Sequence, residues 1–321
     1  MKRFKALKVV ALAGGVGGAK LAVGLNNVLP PENLTVIVNT GDDFDHFGLK
    51  ICPDLDTVCY SLADMADTTH GWGVKDESWQ VLEQLKRLDA PSWFALGDKD
   101  LALHLERTRL LREGKTLTEI TQLLCRKLGI ATTVLPMCDV PAPTLLELSE
   151  GGELGFQEYF VRDRFEPVIS RVILPDPSGL KPNDQAIEAF QKADIVVICP
   201  SNPWVSIDPI LNISPFRELV RAKPTIAVSP IINGAALKGP AAKMFSELGI
   251  EPSASSVLEH YAGLIDGFIY DKSETQRLTT KSAKGIIIRK TNTIMKEANE
   301  KTALAEFMLE FGLRLLGHET Q

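Results

Sequence analysis

The residues best suited to chemistry crowd into positions 39–57, NTGDDFDHFGLKICPDLDT. This stretch holds five carboxylates: Asp42, Asp43, Asp45, Asp54 and Asp56. Two carboxylates about 4 Å apart repel by roughly 4 kcal/mol at an effective dielectric near 20. Acids that converge in a fold therefore require a cation, most simply Mg2+. The stretch follows an apolar β-type run at 34–38 (LTVIV), so its acids leave a buried strand at the carboxyl end. Open α/β sheets bind their ligands there. The plain alternative is a solvated loop whose aspartates cap turns and helix starts. Asp54 and Asp56 suit that role too, since a helical pattern follows at 57–66.

The elements that must position these acids begin at residues 8–13 (KVVALA), a short apolar run without alternation, read as a buried strand. It runs into Gly14, Gly15, Gly17 and Gly18, then an apolar helical pattern that Pro30 and Pro31 stop. Strand, glycine turn, helix and strand open a doubly wound sheet. Such glycines let backbone N–H groups approach a phosphate at a helix N-terminus. The loop is not a Walker A, because Ala19 and Leu21 stand where glycine and Ser/Thr belong, and Lys20 breaks the G-x-G-x-x-G pattern.

Beyond the acids, Trp72 lies in a glycine-flanked loop (68–73) as a candidate stacking surface. Helical patterns follow at 79–88 and 101–112. The second starts behind Asp98 and carries His104 and Arg107 at i and i+3, on one face. Thr116 and Glu119 fit a capping box. The pattern changes to short strands and a Gly151-Gly152 turn over 130–180, read as an inserted α+β region. The remainder, 1–129 and 181–321, forms a Rossmann-like core with a mostly parallel sheet. Two later strands exit into loops bearing Ser201 and Asn202, and Ser229, whose hydroxyl and amide groups suit a nucleotide.

Composition sets the outer limits. Hydrophobic residues at 45% and charged residues at 24% are ordinary globular values. A net charge of −6 argues against nucleic-acid binding, which needs basic surface. Five scattered cysteines without a CxxC pair suggest reduced cytoplasmic thiols. No apolar run approaches the roughly 20 residues needed to span a bilayer.

GGVGGAK, NTGDD, ICPDLDT, LGDKDLALHL, LPMCD, PSNPWVSIDPIL and SPIINGAALKGPAAK, in this order, resemble the 2-phospho-L-lactate transferase family over positions 14–243. The resemblance implies an Mg2+-dependent, dimeric enzyme of coenzyme F420 biosynthesis. Its donor would be a guanosine diphosphate carrying lactate or enolpyruvate on the terminal phosphate. The ribitol hydroxyl of the deazaflavin Fo would attack that phosphorus, and GMP would leave. Carried onto this chain, it implies Asp42 and Asp56 at the metal and attacking hydroxyl, with Asp43 and Asp54 in reserve. Gly14, Gly15, Gly17 and Gly18 would hold phosphate, and Ser201, Asn202 and Ser229 the guanosine nucleotide. Asp98, His104 and Arg107 would flank Fo. The chain departs from many relatives at Ala95, where a basic residue is common, and at Cys138, where serine is.

Two other functions share these features. An NAD(P)-dependent oxidoreductase would use an acid after the second strand for ribose, a part Asp42 could play, but leaves Asp54 and Asp56 without a purpose. A guanine-nucleotide sensor on the same fold would bind GDP without metal-dependent turnover.

Overall fold

The computed structural model describes residues 4–67, 72–236, 240–275, 278 and 285–317. The chain opens with β1 (Val9–Ala13), α1 (Gly15–Val28) and β2 (Leu34–Val38). A hairpin of β3 (Phe44–His46) and β4 (Leu49–Ile51) precedes α2 (Pro53–Leu62). Helices α3 (Gln80–Arg87), α4 (Asp98–Arg112) and α5 (Leu117–Lys127) lead to β5 (Thr133–Pro136). Next come β6 (Leu145–Leu148), β7 (Glu153–Gly155) and β8 (Ile169–Ile173), then α6 (Asp184–Lys192) and β9 (Ile195–Ile198). Short helices α7 (Asp208–Leu211) and α8 (Phe216–Arg221) precede β10 (Thr225–Val228) and a small pair, β11 (Ile231–Ile232) and β12 (Ala235–Ala236). The chain closes with α9 (Ala241–Glu247), α10 (Ala254–His260), β13 (Gly267–Asp271), β14 (Ile287–Thr291) and α11 (Ala298–Leu315).

Seven strands form one sheet in the order β14–β13–β10–β9–β1–β2–β5, and every neighbouring pair is parallel. Strands covered on both faces need apolar side chains in both directions. Val9, Ala11 and Ala13 pack with α1, α2 and α11, whereas Val10 and Leu12 pack with α6, α8 and α10. The absence of alternation in 8–13 follows directly from this two-sided burial. The expected α/β doubly wound architecture is what the chain adopts. Strand order reverses between β1 and β9, which opens a crevice at their carboxyl ends.

One boundary differs from the sequence reading. The strand expected to start the 130–180 insertion is β5, the outer edge of the parallel sheet, paired from Thr35↔Thr133 to Val38↔Pro136. Helix α5, just ahead of it, supplies the crossover that a parallel partner of β2 requires. Its capping box of Thr116 and Glu119 is formed. The separate layer is the antiparallel sheet β7–β6–β8, with Gly151 and Gly152 at positive φ in its turn. Leu146, Tyr159 and Ile169 of this layer seat it on Val205 and Met244. Among the described residues no helix is long and apolar enough to cross a membrane.

Helices α1 and α11 meet at Gly24, where a methyl group would overlap the Lys301 carbonyl oxygen. A backbone atom cannot swing aside as a side chain can. Although alanine gains about 1 kcal/mol in helix propensity, Gly24→Ala should destabilise the protein by about 1–3 kcal/mol. A lower urea midpoint with an unchanged m-value is the expected result; an unchanged midpoint would mean that α11 shifts freely.

Candidate active site

At the crevice, the glycine turn after β1 meets the turn after β9. The Gly14 N–H donates to Ser201 Oγ (3.1 Å), and that hydroxyl donates to the Gly14 carbonyl (2.7 Å). A side chain at Gly17 would strike the Pro200 carbonyl oxygen, and one at Gly18 would strike Ser201 and Ala13. Gly15, at a φ of 60°, opens α1 and donates its N–H to Asp54 Oδ1 at 2.6 Å. The anion on this helix N-terminus is thus a carboxylate of the protein itself. Gly14 and Gly18 are buried in these contacts, while Gly15 and Gly17 stay partly accessible.

Two of the other expected nucleotide contacts also serve the backbone. Asn202 Oδ1 accepts the Trp204 N–H (3.1 Å). Ser229 Oγ accepts the Ile231 N–H (3.1 Å) and donates to the Ile231 carbonyl (3.0 Å).

The acids gather next to this turn around a residue the sequence reading left without a role, Asn39 at the end of β2. Its Oδ1 accepts the Gly41 N–H (2.8 Å), which turns the amide nitrogen toward the carboxylates. That nitrogen donates to Asp54 Oδ2 (2.9 Å), Asp42 Oδ1 (3.2 Å) and the Val205 carbonyl (3.2 Å). Gln157 of the inserted layer donates to the other oxygen of Asp42 at 2.6 Å.

The electrostatics are those of crowded, desolvated charge. Burial first, then Asp54 and Asp43, push Asp42 well above the usual carboxylate range. Burial raises Asp43 to about 7 against the pull of Lys50 and Arg107, and raises Asp54 to about 6. Asp43 Oδ1 is buried with no hydrogen-bond partner. Carboxylates are the donors Mg2+ takes, so these acids suit that ion chemically, although among the described residues the only three such groups whose donor atoms converge are Asp56, Asp100 and His104.

Asp56, from the first turn of α2, belongs to a second group. Arg107 grips it with both terminal nitrogens, Nη1 donating to Oδ2 at 3.0 Å and Nη2 to Oδ1. Burial opposes the Arg107 charge, but the groups around it, Asp56 first among them, together outweigh it and hold the guanidinium protonated. Arg107 Nη1 also lies 3.2 Å from His104 Nδ1. An accepting Nδ1 leaves the ring hydrogen on Nε2, which is 3.1 Å from Asp100 Oδ1 but off the line of a hydrogen bond. Tyr60 donates to the same Asp100 oxygen at 2.5 Å. Asp56, Asp100 and His104 could in principle chelate a cation. The guanidinium already on Asp56 supplies that positive charge. His104 and Arg107 are therefore together as expected, with Asp56 between them and the other acids.

Asp98 stands apart. Its carboxylate accepts from Ser78 Oγ (2.7 Å) and from the N–H groups of Gln80 and Val81 (both 3.1 Å), capping α3. Trp72 is 47% exposed and edge-on to Trp79 at 6.1 Å. Residues 68–71 before it, and 237–239 within the SPIINGAALKGPAAK motif, lie outside the described residues. The cleft that opens onto the acids is elsewhere. It has a volume of about 130 Å³ and is lined by Asp42, Asp43, Phe44 and Asp45, by Trp93, and by Phe156, Gln157 and Glu158.

Comparison with known proteins decides the family. The family described as 2-phospho-L-lactate transferase CofD matches residues 9–306. The chain belongs to this family. It is 38% identical over 311 residues to a phosphoenolpyruvate transferase of Streptomyces griseus, covering 95% of this chain and 98% of that one. It is 36% identical over 302 residues to a 2-phospho-L-lactate transferase of Methanosarcina mazei, covering 94% and 99%. Among solved structures, a UPF0052 family protein of Bacillus halodurans has the same fold, with a TM-score of 0.62 over 95% of this chain and 99% of that one at 18% identity. In this member of the transferase family, GGVGGAK, NTGDD, ICPDLDT and PSNPWVSIDPIL meet at the crevice and its acids.

Two outcomes follow. Asp43 and Asp54 are raised from 3.8 to about 7 and about 6, so between pH 4 and 7 the folded chain binds more protons than the unfolded one. Stability without divalent metal should therefore fall as pH rises through that window. The fall in melting temperature should be smaller in Asp43→Asn; an equal fall in both proteins would contradict the assignment. Separately, Arg107→Met leaves Asp56 buried and unpaired and should cost about 3–5 kcal/mol in urea unfolding. Adding Asp56→Asn should recover most of that loss, and strictly additive losses would disprove the pairing.

Proposed function

We propose that this protein moves a phospho-three-carbon-acid group, 2-phospho-L-lactate or enolpyruvyl phosphate, from a guanosine diphosphate donor to the ribitol hydroxyl of Fo. The hydroxyl oxygen bonds to the terminal phosphorus of the donor, the bond to the inner phosphate breaks, and GMP leaves. The observation that carries this reading is the set of three crowded carboxylates, Asp42, Asp43 and Asp54, with the unpartnered Asp43 Oδ1, at the crevice. Family membership and the two kinds of named relative support it.

Phosphoryl transfer asks a protein mainly for positioning and charge neutralisation. Asp42, Asp43 and Asp54 would hold Mg2+, which when bound neutralises charge on the diphosphate oxygens. Asp56, expected beside Asp42 as the second ligand, carries the Arg107 guanidinium on both oxygens and would reach the ion through a remaining lone pair. A carboxylate of this set that does not hold the ion would accept the hydroxyl proton. The cleft walls of Phe44, Trp93 and Phe156 offer flat apolar surface for the acceptor ring.

The deciding experiment incubates the protein with Fo, Mg2+ and each acyl-diphosphoguanosine donor, and follows products by mass spectrometry. The phosphodiester and GMP should appear together, vanish with chelator, and fall on the order of 100-fold in Asp42→Asn. Binding of GDP with no product from either donor would leave a nucleotide sensor as the better account.

A further inference from the structure

We propose that Gln157, carried by the inserted layer, is a positioning residue for the acid centre, its amide aiming the Asp42 carboxylate into the cleft. The inference rests on the reading of Asp42 as a cation-holding group.

Asp42 and Gln157 lie 115 positions apart, and the buried Gln157 side chain donates to Asp42 Oδ2 at 2.6 Å. The other oxygen of Asp42 depends on Asn39 at 3.2 Å, through a nitrogen shared with Asp54 and the Val205 carbonyl. A donor divided three ways orients each acceptor weakly. The direction of the carboxylate therefore falls to Gln157. The segment that carries this amide is firmly seated, because Tyr159, two positions on, is fully buried in the small core beneath the layer.

The chemical type fits the task. A lysine here would take the place of the cation, and a glutamate would add a further negative charge to an already crowded set. A neutral amide supplies a directed hydrogen bond and leaves the charge of the site to the ion. Hydrogen-bond partners of this kind, one step behind a metal ligand, typically alter affinity or activity 10–100-fold when removed.

The test is Mn2+ titration followed by the paramagnetic resonance of the free ion, on wild type, Gln157→Ala and Gln157→Met, each with a melting curve. Methionine keeps the length and approximate volume of glutamine without the donor, and it carries the test should the alanine variant fold poorly. Both variants should bind Mn2+ about 10–100-fold more weakly than wild type, with melting temperatures within about 3 °C. Wild-type affinity in either variant would overturn the role of the amide. A wild type that takes up no Mn2+ would overturn the cation reading of Asp42 and this inference with it, an outcome visible before any variant is made.

Discussion

Everything around the crevice depends on burying like charges side by side. Asp54 and Asp43 both press on Asp42, and burial is the largest contribution to each of the three raised carboxyls. The protein offsets part of this with neutral donors: the Asn39 and Gln157 amides and the Gly15 N–H. Neutral donors can orient carboxylates but cannot cancel their charge.

The glycines look different in this setting. A sequence reader sees a phosphate loop; the fold uses it first to let three segments approach closely. Gly17 admits the Pro200 carbonyl, Gly18 admits Ser201, and Gly15 offers its N–H to Asp54. Ser201, Asn202 and Ser229 likewise lock turns with their polar atoms. The edges of the crevice are bonded to each other, and these bonds hold the acids in place.

Arg107 resolves the remaining acid differently. Asp56 has a full counter-charge in a bidentate pair, backed by His104, Asp100 and Tyr60. These four acids thus fall into two electrostatic classes: Asp56 in a bidentate ion pair, and Asp42, Asp43 and Asp54, each raised chiefly by burial. The pair also ties α4 to α2, and so fixes the helix whose first turn supplies both Asp54 and Asp56.

The sequence by itself determined most of the sheet, the glycine turn and the position of the acid stretch, whereas α2, expected at 57–66, begins at Pro53 and takes Asp54 and Asp56 into its first turn. What it determined is encoded locally, by apolar runs, by residues permitting unusual backbone, and by capping pairs such as Thr116 and Glu119. Its motifs also carried the family. Tertiary structure decided which acids share a charge, since Asp56 could be told from Asp54 only by the arrival of Arg107 from 51 positions away. It also assigned β5 to the sheet, through a pairing that no local pattern specifies. Asn39 was within reach of reading, as an amide opening the acidic stretch. Gln157 was not: nothing near it marks it, and its role exists only because an inserted layer folds back over Asp42. Local chemistry is written along the chain, but electrostatic partnership is set by distance in space.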